Sequence, residues 1–294
     1  MAEMLELQRR FGWREDAPLA IAAYRPRPTD IVISPFGKCG TTWLQQTFHC
    51  LRTRGDMDFD DISRVVPWIE TSRTLGIDLE AAQRAQPRGF KSHMSWREIP
   101  KGARYVVSLR DPKDALVSMY RFMEGWYLEP GAIPIADFAE PWIGRADGMD
   151  YWSHLLSWWE QRDNPEVLLL AYEHMIRDPA DHVARLAAFC GIELDEALAA
   201  LTLERSSFAY MSAHKDRFDD KMMRQATEAR CGLPAGSDSA KVRAGGVGGH
   251  KAVLPAETLA ALDAKWESTI EPALGVADYE SLLAELATGR NRRA

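Results

Sequence analysis

Cysteine is scarce in this sequence, and none of it is paired by spacing. Cys39, Cys50, Cys190 and Cys231 lie far apart without a C-x-x-C step. That excludes a zinc-finger pattern and a disulfide framework, and favours a reducing compartment. Long apolar runs are also missing. The stretch at residues 167–172 is far shorter than the roughly 20 residues a spanning helix requires. The opening MAEMLELQRR is charged and amphipathic and lacks the apolar core of a signal peptide. A cytoplasmic protein without a transmembrane segment is the expectation. Basic residues do not dominate either: 43 acidic against 36 Lys and Arg leave a net charge of −7. Nucleic acid is therefore not an expected partner, although a local basic pocket for a small anion remains open. No clustering of His, Cys, Asp and Glu predicts a metal site, and no repeat or low-complexity tract breaks the chain.

What is present is an ordinary globular balance, with 46% hydrophobic and 27% charged residues in 294. That is enough to bury a core without staples. Short apolar runs at residues 30–34, 88–90, 104–109 and 166–171 read as buried strands. Between and after them lie helical patterns. One starts near Trp43 and stops at Gly55, and one is opened by Asp111, Pro112 and Asp114 and runs to about Glu124. Others cover residues 151–162, 178–190 (stopping at Gly191), 255–266 and 279–288. Buried strands alternating with helices predict an α/β fold, a central parallel sheet flanked by helices, in one domain over residues 1–294.

Four segments carry chemistry. Phe36-Gly-Lys-Cys-Gly-Thr-Thr-Trp43 joins a strand to a helix. Small residues there expose backbone N–H groups at the positive end of a helix, and Lys38, Thr41 and Thr42 add donors for an anion. It is P-loop-like but not a Walker A loop: Val32 sits where that motif needs Gly, and Cys39 where it needs Ser or Thr. Taken alone, it is equally well an ordinary βα turn. Arg110 ends a strand on the side of the sheet where ligands bind, and Ser118 follows one helix later. Lys91 and His93, at i and i+2 of an extended segment, point the same way and can supply a cation and a base. Arg243 leads four glycines in five positions, at residues 245–249, where backbone can approach a ligand closely. A surface Arg–Asp pair, a structural His and a flexible loop are the plainer readings of these last three.

In this order, the segments resemble the cytosolic-type sulfotransferase family, which uses 3′-phosphoadenosine 5′-phosphosulfate (PAPS). Its Y-P-K-S-G-T-T-W is similar to F-G-K-C-G-T-T-W here, and its K-T-H to Lys91-Ser92-His93. Its R-N-x-K-D-x-x-V-S is similar to the segment from Arg110 to Ser118. W-W-E matches Trp158-Trp159-Glu160, Y-E-D-M resembles Tyr172-Glu-His-Met175, and T-S-F resembles Ser206-Ser207-Phe208. R-K-G resembles Arg243-Ala-Gly245, with Gly248 and Lys251 on G-D-W-K. The likeness runs over about residues 30–251, with C-terminal helices following at 255–289. It implies a phosphosulfate cradle of Lys38, Cys39, Gly40, Thr41 and Thr42, with Lys38 on the bridging oxygen. It implies an adenine frame of Trp43, Tyr172, Ser206 and Phe208, and a 3′-phosphate clamp of Arg110, Ser118, Arg243, Ala244 and Gly245. His93 would be the general base, with Lys91 on the sulfuryl group. The reaction implied is in-line transfer to a hydroxyl or amine of a small acceptor such as a phenol, alcohol or glycolipid, leaving adenosine 3′,5′-bisphosphate (PAP).

Some positions depart from the family pattern. Phe36-Gly37 replaces Tyr-Pro, Cys39 replaces Ser, Asp111 replaces Asn, Ala244 replaces Lys, and Gly249-His250 replaces Asp-Trp. The family's C-terminal dimer motif is poorly matched, which leaves a homodimer open. Two other functions compete: a P-loop-type kinase, which the missing Walker A opposes, and a non-catalytic adenosine bisphosphate-binding module, which has no use for Lys91 and His93. Met119, Phe122, Trp126 and Tyr127 are candidate acceptor walls. His154, His174 and His182 read as structural. Residues 213–230 read as a mobile surface segment or lid, and residues 290–293 as a solvated tail.

Overall fold

Short apolar strands are buried almost without interruption, and a strand buried on both faces decides the architecture. In a computed structural model describing residues 6, 13–126, 128–231, 241–243 and 245–290, strands β1 (Ile31–Ile33), β2 (Gly89–Lys91), β3 (Arg104–Leu109) and β4 (Val167–Ala171) form one sheet. The order is β2-β1-β3-β4, and every neighbouring pair is parallel. Val32 lies opposite Phe90 and Tyr105, and Tyr105 lies opposite Val167. Successive side chains leave opposite faces of a strand. Val32, Phe90, Tyr105, Val107 and Leu169 accordingly enter one core, and Ile31, Ile33, Val106 and Leu170 enter the other.

Helices cover both faces, as the expected parallel sheet requires. Helix α1 (Trp13–Ala23) precedes β1, and α2 (Thr41–Thr53) follows it, burying Leu44, Phe48 and Leu51 in the second core. Helix α3 (Pro112–Glu124) follows β3, then α4 (Ile135–Gly144) and α5 (Tyr151–Trp159), which pack on the first core. After β4 come α6 (Tyr172–Arg177), α7 (Pro179–Cys190), α8 (Glu196–Arg205) and α9 (Phe208–Ala213). Helix α10 (Lys221–Cys231) leads towards the glycine-rich segment, and α11 (Ala256–Thr269) and α12 (Tyr279–Arg290) close the fold over the first core. Gly191 caps α7 in the left-handed region, as its sequence predicts. The aromatic helix ends at Trp159 rather than residue 162.

One expectation is overturned. Residues 213–230 do not lie on the surface as a loose segment: α10 buries Met223, Arg224 and Thr227, with Asp220 just ahead of it. These four positions follow the i, i+3, i+4, i+7 spacing of one helical face. Their polar side chains disguise that face in the sequence. Arg224 lays its guanidinium over Trp126 at 5.4 Å and donates to the Gly125 carbonyl at 3.2 Å.

The far end of the sheet is tied by a buried ion pair. Arg88 grips Asp30 through two hydrogen bonds of 2.8 and 2.7 Å, and the Tyr24 hydroxyl donates to the same carboxylate at 3.1 Å. Breaking such a pair from one side strands a buried charge. Arg88→Met should lower unfolding free energy by about 3–5 kcal/mol. Urea denaturation checks this, and a loss under about 1 kcal/mol would show that the pair is not a structural tie.

Candidate active site

Three of the four chemistry-bearing segments leave the sheet at the carboxyl ends of β1, β2 and β3, the side on which open α/β sheets bind ligands, and the fourth, carrying Arg243, comes after α10. The loop after β1 turns sharply. Lys38 takes a left-handed φ of 71°, and Gly40 one of 98°. A Cβ at Gly40 would lie 3.0 Å from the Tyr172 ring and 3.2 Å from Ser108 Oγ, so a side chain has no room there. Gly40 is also the N-cap of α2 and offers no capping side chain. Asp111, Asp150, Asp178 and Asp195, by contrast, each cap their own helices. The first amides of α2 therefore face outward at the positive end of a 13-residue helix.

The groups around these amides include several buried hydrogen-bond donors left without partners. The Thr41 hydroxyl, the Trp43 indole N–H and Arg110 Nε are buried and have no hydrogen-bond partner among the described residues. Buried polar groups are normally satisfied, so a missing partner needs an explanation. Arg110 is held by the Lys38 carbonyl at 2.9 Å and the Gly246 carbonyl at 3.1 Å, with its plane 4.3 Å over Tyr172. Tyr172 meets Trp43 edge-on at 5.8 Å. Phe208 is half exposed and packs so close to Gly245, at φ 59°, that a Cβ there would sit 2.4 Å from its ring. Burial, with Arg121 and Arg110 nearby, pulls the Arg243 guanidinium below its usual range, while Glu124 opposes this. The cradle, Arg110 and Arg243 thus share one surface.

Not every expected residue faces the cradle. Cys39 is buried, its N–H donates to the Phe36 carbonyl at 3.1 Å, and burial pushes its thiol up to about 12. It shapes the turn from inside. The Ser206 hydroxyl donates to the Thr202 carbonyl at 2.7 Å. Ser118 is half buried on α3, and Ala244 and Tyr127 lie outside the described residues.

Lys91 and His93 meet across one ring. The Lys91 ammonium sits 3.8 Å over Trp68, and the His93 imidazole meets the same ring edge-on at 5.2 Å. Trp68 is brought there by the Lys91 N–H, which donates to the Pro67 carbonyl at 2.7 Å. Glu70 accepts from the His93 N–H at 2.7 Å and from the Ser92 hydroxyl at 3.2 Å. His93 Nδ1 lies 2.8 Å from the Pro35 carbonyl. A carbonyl only accepts, so Nδ1 carries the proton and Nε2 keeps its lone pair. Burial first, then Lys91, pushes the imidazole down to about 3, which keeps it neutral. Burial, then Lys241, with Arg110 and Lys91 adding, pushes the Lys38 ammonium down to about 7 against the pull of Asp220. Its Nζ rests 4.4 Å over Phe122. Phe122, Trp126, Trp68, Leu75 and Met223 form a small apolar cluster beside these groups, whereas Met119 packs on the main core.

Several residues here went unread in the sequence. Trp68, Glu70, Asp220 and Lys241 carry no motif. Asp114 was expected to serve its helix start. It instead accepts from the Gly248 N–H at 2.6 Å and from the His250 N–H at 3.0 Å and Nδ1 at 2.8 Å, which pins the glycine-rich loop. Glu173 accepts from the Asp111 N–H at 3.0 Å and the Tyr279 hydroxyl at 2.8 Å.

A family model of the sulfotransferase domain matches residues 28–272. Sulfotransferase 1C2 of Homo sapiens is 25% identical over 203 residues, 65% of this chain and 68% of the relative. Sulfotransferase 1E1 of Cavia porcellus is 29% identical over 204 residues, again 65% and 68%. Two solved structures share the fold at 20% identity: retinol dehydratase in complex with androsterone and the inactive cofactor PAP, and mouse sulfotransferase SULT7A1 complexed with PAP. Their TM-scores are 0.68 and 0.65, covering 88% and 87% of this chain and 85% and 89% of theirs.

The half-buried, neutral imidazole yields a direct expectation. Proton NMR of the His93 ring should show no titration between about pH 8 and about pH 5. A midpoint near the ordinary value of about 6.5 would mean that the ring is solvated and uncoupled from Lys91.

Proposed function

The chain belongs to the sulfotransferase family, and we propose that His93, Lys38 and Lys91 carry its chemistry. It is an enzyme that moves the sulfuryl group of PAPS to small-molecule acceptors. The donor supplies an activated sulfuryl group on a phosphate oxygen. Everything else falls to the protein: gripping an anion, excluding water and taking one proton.

The outward amides of α2 with Thr41, Thr42 and Lys38 are our assignment for the 5′-phosphosulfate, and the open N-cap and unpartnered Thr41 hydroxyl support it. Arg110, Ser118, Arg243 and the Gly245 backbone are assigned to the 3′-phosphate; the unpartnered Arg110 Nε supports this. Trp43, Tyr172, Phe208 and Ser206 are assigned to adenine, Ser206 through its remaining lone pair. Lys38 would hold the bridging oxygen of the donor, where charge develops in sulfuryl transfer. A cation fixed there favours the transition state over the ground state.

The single observation that carries the base assignment is the His93 Nδ1 contact with the Pro35 carbonyl. It leaves Nε2 free to take the acceptor's proton, and the depressed imidazole is neutral and ready at pH 7. The acceptor we infer presents a hydroxyl on an apolar body: a phenol, an alcohol or a glycolipid. The Trp68, Phe122, Trp126, Leu75 and Met223 cluster beside His93 supports that choice.

Incubation with radiolabelled PAPS and a panel of phenols, alcohols and amines tests the reading. Transfer is expected to fall roughly 10²–10⁴-fold in His93→Ala while PAP still binds. Undiminished transfer would remove His93 from the base role, and absence of transfer by the unaltered protein across the panel would reject these acceptor classes.

Asp114 acts on the donor only through the loop it pins. Asp114→Ala should weaken PAP binding by about tenfold or more, at least the worth of one of its three hydrogen bonds to the loop, with kcat at saturating donor little changed. Calorimetry beside steady-state rates separates the two quantities, and unchanged PAP affinity would show that the loop holds its shape without Asp114.

A further inference from the structure

Asp220 is shaped for something other than its helix. Its backbone is left-handed, at φ 50°, a cost that a non-glycine residue meets only where the surroundings impose it. It precedes α10, yet its carboxylate does not serve that helix start. The Met222 N–H is instead accepted by Asp61, 2.8 Å away on a distant segment. The Asp220 side chain is 4% exposed and lies between two lysines. Lys91 Nζ is 3.7 Å from Oδ1, and Lys241, itself nearly buried, pairs with Oδ2. Oδ1 has no hydrogen-bond partner among the described residues.

Lys241 lies two residues before Arg243, so the chain that brings Arg243 near Arg110 also brings this ammonium to Lys91 and Lys38. We propose that Lys241 is a further cation of the sulfuryl-transfer centre, and that Asp220 is the residue that positions it, together with Lys91, around the transferring group. This rests on the reading of Lys38, Lys91 and His93 given above. The chemistry is simple. A sulfuryl group in transfer spreads negative charge over its oxygens, and preoriented cations stabilise that charge best in a water-poor site. Several ammoniums buried together would otherwise shed protons, and one carboxylate among them holds them charged.

Around Lys91 stand Asp220, Lys241, Glu70 and Asp61, and around Lys38 stand Lys241, Asp220, Arg110 and Lys91. Asp220 itself is felt by Lys241, Lys91, His93 and Asp61. Asp220 raises both lysines, whereas Lys241 lowers both. Removing one or the other must therefore move the alkaline limb of kcat/KM for the donor in opposite directions.

Asp220→Asn, which tolerates the left-handed backbone, should shift that limb down by about 1 pH unit. Lys241→Met should shift it up and lower kcat by about 10²-fold, the scale of one lost transition-state donor. PAP, which lacks the sulfuryl group, should bind both variants nearly as well as the unaltered protein, which also reports that they fold. Lys241→Arg should restore most of kcat. Lys241→Gln and Asp220→Gly stand in for any variant that melts early. If the unaltered protein transfers sulfuryl normally while the limb stays put in both variants, or Lys241→Met keeps kcat within about twofold, this inference alone is overturned. Loss of PAP binding in proportion to kcat would equally overturn it, since the two residues would then serve the nucleotide. Absence of transfer by the unaltered protein overturns the parent reading, and this one with it.

Discussion

Like charges crowded into a place with little water are the constraint that the rest of this structure answers. Lys38, Lys91 and Lys241 act on one another across the carboxyl edge of the sheet, and Arg110 adds to the crowd at Lys38. Left bare, such a cluster would lose protons or swell with water. The fold counters in two ways. Aromatic faces lie under the cations, Phe122 beneath Lys38, Trp68 beneath Lys91 and Tyr172 beneath Arg110. A quadrupole attracts a cation without adding an anion that would repel the donor. Asp220 then pairs with two of the lysines at once, and Glu70 and Asp61 add their pull on Lys91.

The same enclosure decides what His93 can do. Burial disfavours the charged form of the imidazole most, and the Lys91 cation beside it adds to that. The ring is thus kept as a free base chiefly by its enclosure, with help from a cation of the site. Its orientation comes from further off. The Ser34 hydroxyl and the Trp158 indole both donate to the Met94 carbonyl, and His154 Nε2 lies 3.1 Å from the Ser34 carbonyl. These contacts fix the loop whose Pro35 carbonyl accepts the hydrogen bond from the His93 Nδ1–H. The aromatic helix therefore earns its place in the site without touching a reacting atom.

Much of the frame was legible because its signals are local. The strands are short apolar runs, Asp111 and Gly191 are caps, and the loop from Phe36 to Trp43 announces an anion site by composition. The motif residues could be ordered by likeness, and that likeness reached the fold and the reaction together. What stayed hidden depends on distance in sequence. Asp114 reads as an ordinary first-turn acid until Gly248 and His250 arrive 134 and 136 positions later. Trp68 reads as one aromatic among many until the Lys91 strand lies beside it. Asp220, Arg224 and Thr227 look like a solvated run because polarity in a sequence signals water, whereas here the polar face is turned inward to meet charge and an aromatic ring.

Cys39 and Asp111, two departures from the family pattern, lose their apparent cost when their surroundings are followed. A hydroxyl exchanged for a thiol weakens an anion site only if the side chain faces the anion, and Cys39 faces the core. An acid near a polyanion repels it only if nothing absorbs its charge. The Asp111 side chain caps the Lys113 N–H at 2.8 Å, at the positive end of α3, and Asp111 is held through its own N–H by Glu173. Burial nevertheless raises the Asp111 carboxyl, and Asp114 beside it adds in the same direction against the Lys113 N–H, His250 and Lys113. Neither exchange therefore alters the main-chain amides at the start of α2, which do not depend on the side chain at either position. Gly40 and Gly245 leave no such latitude, since a Cβ at either would run into the Tyr172 or the Phe208 ring.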